Sequence, residues 1–406
     1  MIKAGYKETE LGEIPTEWAL ENLGSVLESI FYGITAKSTK EGTDIKFLRT
    51  TDIKDFNFTP TDLPFCIITE RRTNLSKYLL KKGDIIVARA GTVGISVLVK
   101  EDLNNIIFGS YLIKLIFKRR RVDPNFIHYF FQSRFYWNKI YSAQGSTIKN
   151  INIPFIKSII IPVPKLREQQ KIAKILSDTD NLISSLDDLI AKKENIKKGL
   201  LQELLTKGIG HTEFKDTEIG KIPKDWEIKS LKDIMKIYDS KRIPIDENKR
   251  NSMEGEFPYC GANGIIDYIN DFIFDGEYIL LAEDGGYWGK FEKSSYLING
   301  KFWVNNHAHI LNISNKFVGY NLFFMYYFNY MDLSNYISGT TRGKLTQGTL
   351  RHIKVIVPSP GEQNRIANTL SDTQHEIEAL EQKKEKYKMI KSGLMQQLLT
   401  GKVRVK

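Results

Sequence analysis

His307 and His309 lie two residues apart, so on a strand both would project from one face and could hold a metal ion. No third ligand is evident in the sequence, and such histidines more commonly serve as buried or hydrogen-bonded residues. Glu213-Phe214-Lys215 and Glu227-Ile228-Lys229 mimic the Glu-x-Lys of a metal-dependent nuclease. In a chain with 59 Lys and Arg against 48 Asp and Glu, such pairs arise readily by chance. Asn152-Ile153-Pro154-Phe155 lacks the first proline of the Asn/Asp-Pro-Pro-aromatic tetrapeptide with which amino-methyltransferases clamp a flipped base, and it reads as structural. No phosphate loop of the GxxxxGKS/T form occurs, so ATP use is not expected, and no glycine-rich loop suited to S-adenosylmethionine follows an expected strand. Cys66 and Cys260 are too few for a disulfide framework or a zinc site. The expectation is a chain with no catalytic residues, no metal and no cofactor of its own.

The elements explain the length better than any such motif does, because the chain is written twice. Glu10-Leu11-Gly12-Glu13-Ile14-Pro15 with Trp18 returns as Glu218-Ile219-Gly220-Lys221-Ile222-Pro223 with Trp226. Residues 168–206 align without a gap on residues 362–400, about half of the positions being identical. Between these markers the halves agree only in scattered places, so the layout is variable block, shared helix, variable block, shared helix.

Ile172, Leu176, Thr179, Ile183, Leu186 and Ile190 recur at alternating spacings of four and three, and Ile366, Leu370, Thr373, Ile377 and Leu380 repeat the pattern. This is a coiled-coil seam, and two copies in one register predict that the helices pair with each other. They should run antiparallel, since a whole domain connects the end of one to the start of the other. Pro164 and Pro360 mark the helix starts.

The variable blocks predict mixed α/β domains. Strand-like runs cover 84–88, 96–99 and 111–116, with a helix over 124–141. The second block has runs at 277–282, 302–304 and 310–313, with a helix near 320–336. The fold class is α+β: two mixed α/β domains joined by two long antiparallel coiled-coil helices, with an internal pseudo-two-fold repeat. The expected domains are 1–160, 161–211 (central helix and linker), 212–357 and 358–406 (second shared helix). Hydrophobic content of 41% with 26% charged residues is ordinary for a globular protein, and the net charge of +11 is compatible with a phosphate-bearing partner without requiring one. No apolar run approaches the ~18 residues that span a bilayer and the first residues carry no signal-peptide core, so a cytoplasmic location is expected.

With these residues in view, the chain resembles the specificity subunits of type I restriction-modification enzymes along essentially its whole length. The resemblance rests on Leu11–Pro15 with Trp18, Phe47-Leu48-Arg49-Thr50-Thr51-Asp52-Ile53, Gly83-Asp84-Ile85-Ile86 before Gly91-Thr92-Val93-Gly94, and Gly145-Ser146-Thr147-Ile148. It rests further on Ile161-Pro162-Val163-Pro164 before Glu168-Gln169, on Tyr259-Cys260-Gly261-Ala262-Asn263-Gly264, and on Val357-Pro358 before Glu362-Gln363. It implies two target-recognition domains, each reading one half of a bipartite double-stranded DNA target. It also implies helices that space the domains and dock two methyltransferase subunits, with motor-nuclease subunits joining later. S-adenosylmethionine, ATP and Mg would then belong to the partners.

DNA contacts would come from the variable blocks. Arg and Lys read guanine, Asn and Gln read adenine, and a carboxylate accepts from cytosine. Candidates in the first block are Lys37, Arg49, Arg71, Arg72, Arg89 and Thr92; in the second they are Lys241, Arg242, Tyr287, Lys290, Arg342 and Lys344. Each taken alone reads equally well as solvated surface. Arg89 aligns with Glu283, a sign reversal that suits two domains reading different half-sites. Lys118-Arg119-Arg120-Arg121 reads as a solvated turn, and the aromatic clusters at 129–131 and 323–328 read as core. A self-sufficient restriction or methyltransferase enzyme, and a scaffold built on the helix pair, are the competing readings. Incubation with DNA, S-adenosylmethionine, Mg²⁺ and ATP discriminates the first; salt-dependent DNA binding discriminates the second.

Overall fold

A computed structural model describes residues 4–405, apart from 42–43, 69–73, 145–149, 315–316 and 340–342. The chain forms two compact units: residues 1–185 with 383–406, and residues 186–382.

In the first unit the strands of the two four-stranded sheets are β1 (Leu27–Tyr32), β2 (Lys37–Thr39), β3 (Lys46–Leu48), β4 (Phe65–Ile67), β5 (Ile85–Ala88), β6 (Ser96–Leu98), β7 (Ile106–Phe108) and β8 (Leu112–Phe117). They make two sheets, ordered β1-β8-β5-β6 and β7-β3-β4-β2, the β7–β3 pair being parallel. Strand β5 shows why its sequence is apolar without alternation. Ile85 and Val87 face a core that includes Phe126, Phe130 and Phe131, whereas Ile86 and Ala88 face Leu48, Ile106 and Phe108 of the second sheet. Successive side chains point to opposite faces, and both faces are covered.

The second unit repeats this plan. The strands of its two four-stranded sheets are β9 (Met235–Ile237), β10 (Glu254–Gly261), β11 (Gly264–Ile269), β12 (Phe274–Asp275), β13 (Tyr278–Ala282), β14 (Ser295–Ile298), β15 (Lys301–Val304) and β16 (Ala308–Ile313). The sheets are ordered β9-β16-β13-β14 and β11-β10-β15-β12, again with one parallel pair, β10–β15. Ile279 and Leu281 face the aromatic helix, and Leu280 faces Cys260, Phe302 and Val304.

The helix expected over 124–141 is two helices, α1 (Pro124–Phe130) and α2 (Arg134–Gln144). Asp123 caps the first, accepting from the Asn125 amide at 2.7 Å, and the turn at 131–133 lets both present aromatic faces to one core. In the second unit α3 is the first long helix (Leu166–Leu204), which enters from the first unit; α4 (Asn321–Tyr330) carries the aromatic cluster, with Phe323, Phe324 and Phe328 fully buried. Asn152 is a helix cap, its Oδ1 accepting from the Phe155 amide at 2.9 Å. The basic run at 118–121 is an exposed turn, with Arg121 paired to Glu21 at 2.5 Å.

Helix α3 and the second long helix, α5 (Pro360–Leu398), each contain 39 residues. Within the first unit Ile172 and Leu176 of α3 share a core with Leu394, Leu398 and Leu399, and Lys391 pairs with Asp180 at 2.7 Å. Within the second, Ile366 and Leu370 share a core with Leu200, Leu201 and Leu205, and Lys193 pairs with Glu376 at 2.5 Å. As the residue number rises along one helix it falls along the other, which is the expected antiparallel pairing. Leu186, Ile190 and Ile377 are buried; Thr179, Ile183, Thr373 and Leu380 are half-buried. No helix among the described residues is long and apolar enough to cross a membrane.

The duplicated strings meet at the first turn of each long helix. Glu168, the third residue of α3, accepts from Trp18 Nε1 at 3.1 Å and from Arg404 Nε at 2.7 Å. Glu362, the third residue of α5, accepts from Trp226 Nε1 and from the Ile209 amide, both at 2.9 Å, with His211 Nε2 also at 2.9 Å. A carboxylate here also complements the helix dipole. The next residue is equally committed: Gln169 donates to the Pro164 carbonyl and accepts from the Asp123 amide, and Gln363 does the same with Pro358 and Tyr320. Trp, Glu and Gln recur because each domain is fastened to its helix by the same three side chains.

Candidate nucleic-acid interface

In each domain the loops that follow the first parallel strand, the central strand and the second parallel strand lie together. In the first domain these begin at Arg49, Arg89 and Gly109. The Gly109 amide donates to Leu48 O at 3.0 Å and the Arg89 amide to Tyr111 O at 2.9 Å. In the second domain the Asn305 amide donates to Cys260 O at 3.0 Å and the Glu283 amide to His307 O at 2.8 Å. The same bonds recur, so Arg89 corresponds to Glu283 and Tyr111 to His307. One frame presents two sets of side chains.

The first edge is cationic. The Arg89 guanidinium stacks over the Tyr32 ring at 4.7 Å, and among the described residues its buried Nε meets no hydrogen-bond partner. Arg49 is half-exposed and forked onto Asp52, with Nε 3.0 Å and Nη2 2.7 Å from the carboxylate, a bond that raises its pKa further. Gly91 stands beside Thr50 with φ +76°, and Thr92 and Tyr111 are exposed. Lys37 is exposed on β2. Arg71 and Arg72 lie outside the described residues, as does Arg342 in the second domain.

The second edge is built around a buried carboxylate. Glu283 pairs with Arg242 and, at 2.7 Å, with Lys344. Arg242 also donates to the carbonyls of Asp239 (3.1 Å) and Ala308 (3.0 Å), so its guanidinium is held inside the domain and does not face outward. Lys344 is half-exposed. Lys241 and Lys290 are exposed, the latter 4.8 Å above the Tyr330 ring, and Tyr287 is 60% exposed.

His307 and His309 do not share a strand face, because β16 starts at Ala308. His309 is fully buried, with Nδ1 2.6 Å from Asp239 and Nε2 2.7 Å from the Leu345 carbonyl. His307 stands on the loop, Nδ1 2.7 Å from Asp284. Asp239, Glu283 and His309 bring three potential ligand atoms within 4.8 Å of one another. Arg242 and Lys344 already answer the carboxylates, however, and both nitrogens of His309 are engaged. Burial alone would raise Asp239 and Glu283. The His309 bond to Asp239 and the Lys344 and Arg242 bonds to Glu283 outweigh it, holding both carboxyls below their usual range. The cluster is an ion-pair network that fastens the loops to β16.

Tyr111, Asn263, Asn305 and His307 stand on these edges and were not among the candidates. None is Arg or Lys, and a choice weighted towards those residues passes over them. Aligning the residues after β7 on those after β15 would have found Tyr111 and His307.

The family model for the type I restriction modification DNA specificity domain matches residues 15–197 and 223–389. The chain is 30% identical to the putative type I restriction enzyme MjaX specificity subunit of Methanocaldococcus jannaschii over 99% of its length and 97% of that protein's. It is 30% identical to the MjaVIII specificity subunit of the same organism, over 74% of this chain and 75% of the other. The solved S subunit of a type I restriction-modification system from M. genitalium shares the fold, with a TM-score of 0.59 at 16% identity over 94% of this chain and 96% of that one. Two fastened helices, two copies of one sheet plan and a family match to each copy lead to one statement: the chain belongs to the specificity subunits of type I restriction-modification enzymes.

Proposed function

We propose that each loop edge reads one half of a bipartite double-stranded DNA target, and that the chain itself catalyses nothing. Residues 1–160 and 212–357 are the recognition domains, and 161–211 and 358–406 the spacer segments. The helix pair sets the gap between half-sites and docks two methyltransferase subunits, with motor-nuclease subunits completing the enzyme. S-adenosylmethionine, ATP and Mg belong to those partners, and the complex works in the cytoplasm. The observation that carries this reading is the repeated edge: one set of backbone bonds presents Arg49, Arg89 and Thr92 in one domain and a carboxylate-centred set in the other. Phosphate contacts position such a protein without carrying sequence, and base-edge contacts specify.

Salt titration of DNA binding by the full chain tests it. Log affinity should fall linearly with log salt, by about 0.9 per phosphate contact. A flat response would remove the DNA-reading function and leave the helix-pair scaffold.

A further inference from the structure

The second edge contains a cavity of about 340 Å³ lined by Asn263, Ile265, Ile266, Asp284, Asn305 and His307. Its polar groups are fixed. Asn263 Nδ2 donates to the Gly285 carbonyl at 3.0 Å, and Asn305 Oδ1 accepts from the His307 amide at 2.8 Å. Asp284 holds His307 through Nδ1, and among the described residues nothing meets its Nε2. Ile265 and Ile266 are 50% and 55% exposed. An amide matches adenine, whose N6 donates and N7 accepts, and exposed aliphatic groups match the thymine methyl.

We propose that this cavity reads an A·T pair in the second half-site. Asn263 forks onto the adenine edge, His307 Nε2 adds a polar contact, and Ile265 or Ile266 meets the thymine methyl. The proposal rests on the DNA-reading function above and names its chemistry in one domain. It leaves the exposed cations of that domain, Lys241 and Lys290, to the phosphates.

The test selects a randomised duplex pool with the full chain and with Asn263→Ala, His307→Gln and Arg89→Ala variants. The wild type should yield a two-part consensus. Asn263→Ala should lose about tenfold or more of the preference at one A·T pair, His307→Gln should weaken it, and Arg89→Ala should relax the other half only. Because a variant could fold poorly, a second arm keeps the wild-type protein. There, 7-deazaadenine or uracil at that pair should each weaken binding severalfold. An unchanged second-half consensus in Asn263→Ala, or indifference to both base analogues, overturns the proposal while the DNA-reading function stands. Absence of any two-part consensus for the wild type overturns both.

Discussion

Arg89 and Arg242 bring the same charge into opposite surroundings, and the difference predicts different phenotypes. Arg242 is 15% exposed and bonded to Glu283 and to backbone carbonyls. Arg242→Ala should therefore destabilise the second domain by on the order of 3 kcal/mol, as expected when one member of a buried pair is removed, measured by denaturant unfolding. Among the described residues Arg89 has no such partner, so Arg89→Ala should leave stability nearly unchanged and cost about 1–3 kcal/mol of base discrimination. His128 gives a third prediction. Burial and the nearby Lys391 push its pKa down to about 4, so the folded chain keeps it neutral where the unfolded chain protonates it. More protons bind to the unfolded state between about pH 6.5 and 4, so stability falls as pH drops through that window, by about 3 kcal/mol in full. His128→Leu should flatten this part of the unfolding profile. An unaltered slope would show that other groups set it. None of these roles was legible in the sequence: Arg89 and Arg242 carried equal weight there, because partners distant in the chain decide which guanidinium is available.

At the scale of elements the sequence was far more readable. Strands β5, β8, β13 and β16 are apolar runs because both of their faces are covered, and the seam residues show the helices directly. The break at 131–133 was not legible, since aromatic residues continue through it. The correspondence of Tyr111 with His307 needs the strand ends, since each is the third residue after its strand, β7 or β15. The antiparallel pairing predicts that a zero-length carbodiimide cross-linker joins Asp180 to Lys391 and Glu376 to Lys193. Peptides joining the starts of the two helices would overturn it. Gly208 offers a sharper check on the fastening of the second domain. Its φ is +65°, and a β-carbon would stand 2.4 Å from the Glu362 carboxylate. Gly208→Ala should cost more than about 1 kcal/mol, whereas Gly199→Ala, in open space on α3, should stabilise.

At the scale of the whole molecule, duplication was visible in the spacing of repeated strings, and what each domain reads was not, since that lies in loop side chains on a shared frame. If the long helices set the gap between half-sites, one extra heptad in both should lengthen the pair by ~10 Å while keeping the seam in register. The gap should then widen by about three base pairs, given about 34 Å per 10–10.5 base pairs, with both half-sites unchanged. Mapping the methylated positions for such a variant decides it. An unchanged gap at full activity would assign spacing to something other than the helices.

The two units differ in how synthesis must complete them. Residues 186–382 are continuous, so the second can close as it is made. The first waits: Ile172 and Leu176 gain Leu394, Leu398 and Leu399, and Glu168 gains Arg404, only after some two hundred further residues have been added. At about 5–20 residues per second that is a delay of roughly 10–40 s. During it, the earlier-made domain exposes the apolar face of its helix start. The aligned leucines of residues 200–205 arrive earlier, but they lie on the same continuous helix and cannot fold back onto its start, so that face stays uncovered until the last turns of α5 emerge.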